Sequence, residues 1–442
     1  MSSKRTLLEG AFLLTIVSFL TRFMGFFYRI FLCRSFGEES VGLYQLIFPV
    51  FVLCLAFSTA GIQTALSRIV AYYKAAGKES CARDSLFISL VLSLFLSFLT
   101  MLFLQANAAK IALVFLGDGR CTNLLILMSY ALPFASIHSC VCGYYFGLKE
   151  AQVPAFSQLL EQIIRIVTVL AVYYFASKKG IPLGISIAII GLVVGEIASA
   201  SCAILAFKLH KFTKVTPAQF LSYFRLLREL LVLSTPLTVN RILLSVLQSI
   251  EAVSIPMRLQ LCNYTQSEAL IIYGVLTGMA LPCILFPSAI TNSISLLLTP
   301  VVAEIQSASD NRKIRTLIRQ VCYWCFSLGL LCCLFFLLTG SFIGMLLFHS
   351  EMAGRFIITL SWICPFLYLG STLVSIVNGL GKTTVTFLVN TVGILLRILG
   401  VFLLIPSFGI EGYLWALLSS QLVTCLLTLG YLFFHLRSKR LY

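Results

Sequence analysis

Twelve long apolar runs dominate the chain, at residues 7–32, 43–73, 85–105, 122–146, 154–175, 185–208, 229–257, 268–302, 316–340, 356–380, 385–405 and 413–436. Each is long enough for the roughly 20 residues that a helix needs to cross a bilayer. Uninterrupted apolarity over that length predicts membrane-spanning helices rather than strands or soluble core segments. The two longest, 43–73 and 268–302, exceed a straight crossing and are expected to tilt or to project beyond the membrane. The first run is too long for a cleaved leader, and no small-residue cleavage site follows it, so it is expected to remain as helix 1. The predicted class is an all-α polytopic membrane protein of about 12 transmembrane helices.

Polar positions inside these runs carry the functional signal. In the first run Thr15, Ser18, Arg22, Gly25 and Arg29 recur at three- and four-residue spacing and share one helix face. The residues between them are lipid-like: Leu13, Leu14, Ile16, Val17, Phe19, Leu20, Phe23, Met24, Phe26 and Phe27. An arginine near the bilayer centre costs about 2.5–3.5 kcal/mol on insertion scales, so this face is expected to meet water or an anionic ligand. The seventh run repeats the pattern with Ser234, Thr238, Arg241, Ser245, Gln248 and then Glu251. Stripes of serine and threonine alone would suit helix–helix seams. The arginines point instead to an anionic cargo.

A weak internal repeat relates the two halves. Pro133, Gly147 and Arg165 match Pro365, Gly379 and Arg397 at a common offset of 232 residues. Six spans per half keep both halves in one orientation, which predicts a parallel repeat with substrate sites near mid-membrane at the repeat interface. The expected organisation is a six-helix bundle over 1–208, a basic cytoplasmic linker over 209–228 and a second six-helix bundle over 229–442. The linker carries Lys211, Lys214 and Arg225 beside Phe220 and Phe224, a composition suited to the anionic leaflet.

Composition and charge narrow the function. The chain is 59% hydrophobic and 11% charged, with a mean hydropathy of +0.99. Its formal net charge of +16 is not a nucleic-acid signature. Basic residues gather in alternate loops and at both ends, among them Lys4, Arg5, Lys74, Lys78, Arg83, Lys149, Lys208, Arg312, Lys313, Arg315, Lys382 and Arg437. The opposite loops hold fewer: Arg34, Lys110, Arg120, Lys178, Lys179, Arg258 and Arg355. The positive-inside rule then puts both termini in the cytoplasm.

Other ionisable residues read as follows. Glu161 and Arg165, four apart, suit an intrahelical pair. Arg397 lacks that carboxylate because Gly393 takes its place, so it is expected to be the more exposed charge. Arg165, Arg397 and Glu161 are candidates for a supporting role around the cargo. Glu196 has no local partner. The four histidines have no neighbours at ligand spacing and the fifteen cysteines lie mostly in apolar spans, so neither a metal site nor a disulfide framework is expected. An enzyme is not expected either, for want of a soluble domain or a clustered catalytic motif.

Several motifs carry a family resemblance: Arg22-Phe-Met-Gly25, Arg29, Arg34-Ser-Phe-Gly37, Gly42-Leu-Tyr-Gln45 and the stretch from Gly61 to Ala71. Further along stand Tyr273-Gly274, Gly278-Met-Ala280, Pro287 and Thr299-Pro300. The chain resembles the stage V sporulation protein B family of polysaccharide exporters. That family lies within the MOP (multidrug/oligosaccharidyl-lipid/polysaccharide) exporter superfamily, beside the MurJ-type lipid II flippases and, further off, the MATE multidrug transporters. The resemblance implies a MATE-like fold and a flippase for a polyprenyl-diphosphate-linked oligosaccharide, such as a peptidoglycan precursor or another wall or spore-cortex glycan. Arg22 matches a substrate-binding arginine of the MurJ type, Arg29 lies one position from a second, and a helix 2 arginine of that type is missing here.

Together these readings predict Arg22, Arg29 and Arg241 at the diphosphate of an anionic lipid-linked glycan, with Thr15, Ser18, Ser245, Gln248 and Glu251 around the sugar. The expected setting is the bacterial cytoplasmic membrane, with membrane lipids and cell-wall synthesis proteins as partners and no nucleic acid. No cofactor is expected, and the energy source is the membrane potential or a monovalent cation. The alternatives are a cation-coupled MATE-type drug exporter and a non-transporting scaffold for wall synthesis.

Overall fold

The computed structural model describes residues 2–180, 184–209, 220–307 and 311–438. Expectations for Lys211, Lys214 and the first half of the linker, residues 210–219, lie outside them. Helices and turns account for the described residues, with no strand among them. In chain order the α-helices are α1 (Ser2–Leu55), α2 (Gly61–Ala75), α3 (Glu79–Lys110), α4 (Cys121–Ser129), α5 (Ala131–Leu148), α6 (Gln152–Lys178), α7 (Ser186–Leu209) and α8 (Phe220–Gln260). There follow α9 (Gln266–Gly274), α10 (Leu281–Leu285), α11 (Ser288–Ser307), α12 (Asn311–Ile343), α13 (Glu351–Ser361), α14 (Cys364–Gly379), α15 (Thr383–Leu403), α16 (Ile405–Phe408) and α17 (Ile410–Ser438).

Ten described helices are long and apolar enough to cross a membrane, and the bent pair α13–α14 raises the number to 11. The run Phe12–Ala75 counts once although its 64 residues would extend about 95 Å at 1.5 Å per residue. That is some three times the ~30 Å hydrocarbon core, so it holds both predicted runs 7–32 and 43–73. Gly37 breaks it, at φ 80° and ψ 169°, a conformation that glycine reaches without a steric penalty. Proline punctuates other spans. Pro133 follows the α4–α5 break, and Pro365 sits at the first turn of α14, bent by 59° from α13. Pro287 separates the continuous helical run Gln266–Leu285, which holds α9 and α10, from α11, so the predicted run 268–302 is broken in two.

The described chain falls into two compact units, residues 1–24 with 46–249, and 25–45 with 250–442. In the first, α2, α3 and α7 pack around α5, and α6 lies on α7. In the second, α11, α12 and α17 pack around α14, and α15 lies on α17. The same neighbour pattern recurs, element for element, as the 232-residue repeat requires. The first core is built on Ile62, Leu66, Val70, Leu86, Val141 and Tyr145. The second is built on Val302, Ile314, Leu373, Ile376 and Val377.

Backbone polar groups freed by irregular turns are satisfied from neighbouring helices, as a non-aqueous environment demands. In the π-turn Ala56–Ala60 the Ser58 carbonyl accepts from the Ser93 hydroxyl of α3 at 2.8 Å. At the π-turn Gly344–Phe348 the Arg34 guanidinium donates to the carbonyls of Leu346 and Leu347.

Close helix approach depends on small residues. A β-carbon on Gly147 of α5 would lie 2.7 Å from the Ser67 carbonyl oxygen and 2.7 Å from the Val70 β-carbon of α2. Gly147→Val is therefore expected to force α2 and α5 apart, at a cost of about 1–3 kcal/mol. Thermal unfolding in detergent should show a lowered midpoint for it and an unchanged one for Gly430→Ala, where nothing lies within 4 Å. Equal midpoints would contradict this packing.

Candidate functional site

Viewed down its axis, the first crossing of α1 has three faces. Phe12, Ile16, Phe19, Leu20, Phe23 and Phe27 are exposed on one arc, suited to acyl chains. Val17 and Tyr28 are buried on a second. Thr15, Ser18, Gly25, Arg22 and Arg29 form the third, with both arginines exposed. At about 100° per residue the arginines lie more than 100° from the middle of the aromatic arc. Among the described residues the Arg22 side chain has neither an ion-pair nor a hydrogen-bond partner.

The stripe on α8 divides. Ser234 and Thr238 pack against Gly61 of α2, where a β-carbon would stand 2.8 Å from the Thr238 nitrogen. Ser245 is buried, and its carbonyl accepts from Ser249 at 2.8 Å. Ser249 also reaches the Pro49 carbonyl, at 3.2 Å. This edge is a packing seam. Arg241 and Gln248 are exposed on the remaining edge, away from the exposed apolar side chains Val232, Val239 and Leu243. Arg241, like Arg22, has no charged or hydrogen-bonding partner among the described residues. Both belong to the first unit; Arg29 and Glu251 belong to the second.

Glu251 does not stand open to a cargo. It is buried, its Oε1 accepts from the Tyr413 hydroxyl at 2.8 Å, and the Arg397 Nε lies 3.1 Å from the same oxygen. Arg397 therefore has a carboxylate after all, supplied by α8 instead of by its own helix. Nor does its exposure set it apart: the side chains of Arg397 and Arg165 are about equally accessible, at 20% and 18%. Pairing of groups 146 residues apart has no trace in local spacing.

The Glu161–Arg165 pair forms within α6 as the spacing predicts. Two further groups join it. His138 on α5 has its Nδ1 3.9 Å from Glu161 Oε2 and its Nε2 2.9 Å from the Ser157 hydroxyl. Glu196 on α7 completes the cluster: ligand atoms of His138, Glu161 and Glu196 all lie within 4.8 Å of one another. Sequence reasoning missed this cluster because its members stand on three separate helices. The tight approach that makes it possible is visible at Gly195, where a β-carbon would stand 3.0 Å from the Glu161 carbonyl oxygen.

The second unit holds a cavity of about 270 Å³ lined by Ser288, Asn292, Ser371, Asn390, Gln421 and Thr424 among others. Its polar lining is uncharged.

Comparison with known proteins gives these features a context. The family model described as polysaccharide biosynthesis protein matches residues 7–306. Stage V sporulation protein B of Bacillus subtilis (strain 168) is 27% identical over 432 residues, covering 96% of this chain and 83% of that protein. Lipid II flippase MurJ of the same organism is 29% identical over 186 residues, covering 40% of this chain and 34% of that protein. Among solved structures, an inward-facing multidrug resistance MATE family transporter of the MOP superfamily superposes with a TM-score of 0.73 at 15% identity, covering 97% and 98% of the two chains. A MOP superfamily transporter from Pyrococcus furiosus gives a TM-score of 0.70 at 15% identity, covering 97% and 96%. These structural likenesses establish a shared fold. The apolar helices and the sequence matches make the chain a multi-pass membrane protein, and it belongs to the polysaccharide biosynthesis protein family.

Proposed function

We propose that this protein is a flippase that carries a polyprenyl-diphosphate-linked oligosaccharide outward across the bacterial cytoplasmic membrane by alternating access. The cargo is a peptidoglycan precursor or another wall or cortex glycan. The observation that carries this reading is the state of Arg22 and Arg241. Both are exposed on polar helix faces, turned from the apolar arcs, and neither has a charged or hydrogen-bonding partner among the described residues. A diphosphate is anionic and multidentate, and guanidinium offers it paired, charge-assisted hydrogen bonds while staying charged. Arg29, two turns along the same face of α1, extends the positive stripe. Thr15, Ser18 and Gln248 lie close enough along these faces to meet sugar hydroxyls.

The relatives support the cargo class. Bacillus subtilis MurJ is a lipid II flippase by name, and the matched family model is one for polysaccharide biosynthesis. Both termini are assigned to the cytoplasm on the basic-loop asymmetry. A transporter of this kind is not an enzyme, and wall-synthesis proteins are the natural suppliers and consumers of its cargo. Drug efflux on the same fold would need a carboxylate facing a cationic cargo, and Glu251 is instead taken up by Arg397 and Tyr413.

Flipping of a fluorescent lipid-linked oligosaccharide in proteoliposomes tests the reading. Arg22→Ala and Arg241→Ala should each slow it tenfold or more, from loss of charge-assisted bonds worth about 1.5–3 kcal/mol. Arg22→Lys should retain part of the rate. Unchanged rates in both alanine variants, or drug extrusion in place of lipid flipping, would overturn it. An inside-negative potential favours outward movement of negative charge by at most ~2.3 kcal/mol per charge per 100 mV. Collapsing it with an ionophore should therefore slow flipping.

Arg397 should behave differently. Arg397→Gln strands the buried Glu251 carboxylate and should cost about 3–5 kcal/mol of stability. The double variant Glu251→Gln/Arg397→Gln should recover most of it in thermal unfolding. Additive losses would refute the pair.

A further inference from the structure

The cluster on α5, α6 and α7 has no part in the cargo site proposed above, yet it sits within membrane-spanning helices. Its hydrogen bonds can be accounted for proton by proton. The Ser157 hydroxyl has one proton and donates it to the Pro154 carbonyl at 3.1 Å. With that bond made it accepts from His138 Nε2, 2.9 Å away, in the tautomer that carries the imidazole proton on Nε2. In the neutral ring Nδ1 is left as a lone pair, and it faces Glu161 Oε2 across 3.9 Å. That separation is wider than a hydrogen bond, and two acceptors repel.

Glu196 deepens the imbalance. It is only 9% exposed, and its Oε2 finds no hydrogen-bond partner among the described residues. Its ligand oxygen lies within 4.8 Å of a ring nitrogen of His138 and a carboxylate oxygen of Glu161. The groups facing it can be listed by helix. His138 and Cys142 come from α5, and Glu161 and Arg165 from α6. Cys202 shares α7, and α4 offers no charged side chain. Two carboxylates, one guanidinium and a neutral imidazole sum to one negative charge. An uncompensated charge among apolar helices is costly. One added positive charge balances the cluster, whereas a divalent ion would overshoot.

The second half shows that the fold does not require these groups. At the 232-residue offset His138 and Glu161 correspond to Gly370 and Gly393. Gly184-Ile185 before α7 matches Gly409-Ile410 at the start of α17 at an offset of 225, which sets Gln421 against Glu196. Packing agrees with that register: Gly195 approaches Glu161, and its counterpart Ser420 approaches Gly393. Gly370 and Gln421 line the uncharged cavity of the second unit.

We infer that Glu196, Glu161 and His138 form a binding site for a single positive charge, a proton or an alkali-metal ion, with Arg165 and Ser157 holding Glu161 and His138 in place. As the ion that drives export the assignment rests on the transporter reading; as a binding site it does not. The test uses the purified full-length protein. Radioactive sodium binding is measured at alkaline pH, and protonated-carboxyl absorption is followed by infrared difference spectroscopy as the pH is lowered. The expected result is one saturable sodium ion per chain, displaced by acid, or one protonated carboxyl. Either signal should fall at least tenfold in Glu196→Gln, which places in this half the residue that the other already carries. No sodium binding, and no carboxyl signal that distinguishes the wild type from the variant, would overturn the site. Should the variant not fold, sodium and pH titration of wild-type thermal unfolding decides: a midpoint indifferent to both overturns the site. Failure to flip any lipid-linked glycan, with ion binding intact, would count against the cargo assignment alone.

Discussion

The cost of an ionisable side chain in a hydrocarbon environment organises this protein. Hydropathy forces the chain into helices, since only helices satisfy their own backbone in lipid. Every charge left inside those helices must then be paired, led to water or kept for a task. Glu251 and Arg397 take the first course, locked together with Tyr413. Glu161 and Arg165 take it too, within a single helix. Arg22 and Arg241 lie off the exposed apolar arcs and have no charged or hydrogen-bonding partner among the described residues, and the cargo role proposed for them rests on that.

Much of the fold was legible in the chain. The apolar runs located the spans, and the neighbour patterns repeat between the halves that the 232-residue offset relates, although the two compact units place 25–45 with the second half and 229–249 with the first. The polar face of helix 1 was legible because helical periodicity is a local property. The limits were also physical. Gly37 gave no hydropathy signal for its kink, because glycine interrupts a helix through its dihedral freedom rather than its polarity. Serine and threonine at three- and four-residue spacing serve a packing seam as readily as a cavity, and on α8 they serve the seam.

The site was less legible than the fold because its contacts are tertiary. Glu251 continues the α8 periodicity and so looked like a cavity residue, but Arg397 reaches it from a helix far along the chain. His138 and Glu196 had no neighbours at ligand spacing, and three-helix packing brings them to Glu161. Small residues were the available signal. Gly195 beside Glu196 marks where α7 presses on the α6 backbone, and such an approach delivers adjacent side chains into one volume.

Comparison of the halves separates scaffold from function more sharply than either half alone. Arg165 and Arg397 occupy matching positions, and each has a carboxylate at its side. In the first half the carboxylate comes from the same helix; in the second Gly393 cannot supply it, and Glu251 does so from α8. Two independent solutions to the same charge mark these arginines as parts of the bundle. The reverse holds for His138 and Glu196. Their counterparts are Gly370 and Gln421, with no charge to compensate. A duplicated scaffold that neutralises its arginine twice but keeps a surplus carboxylate once has retained that carboxylate for something the scaffold does not need.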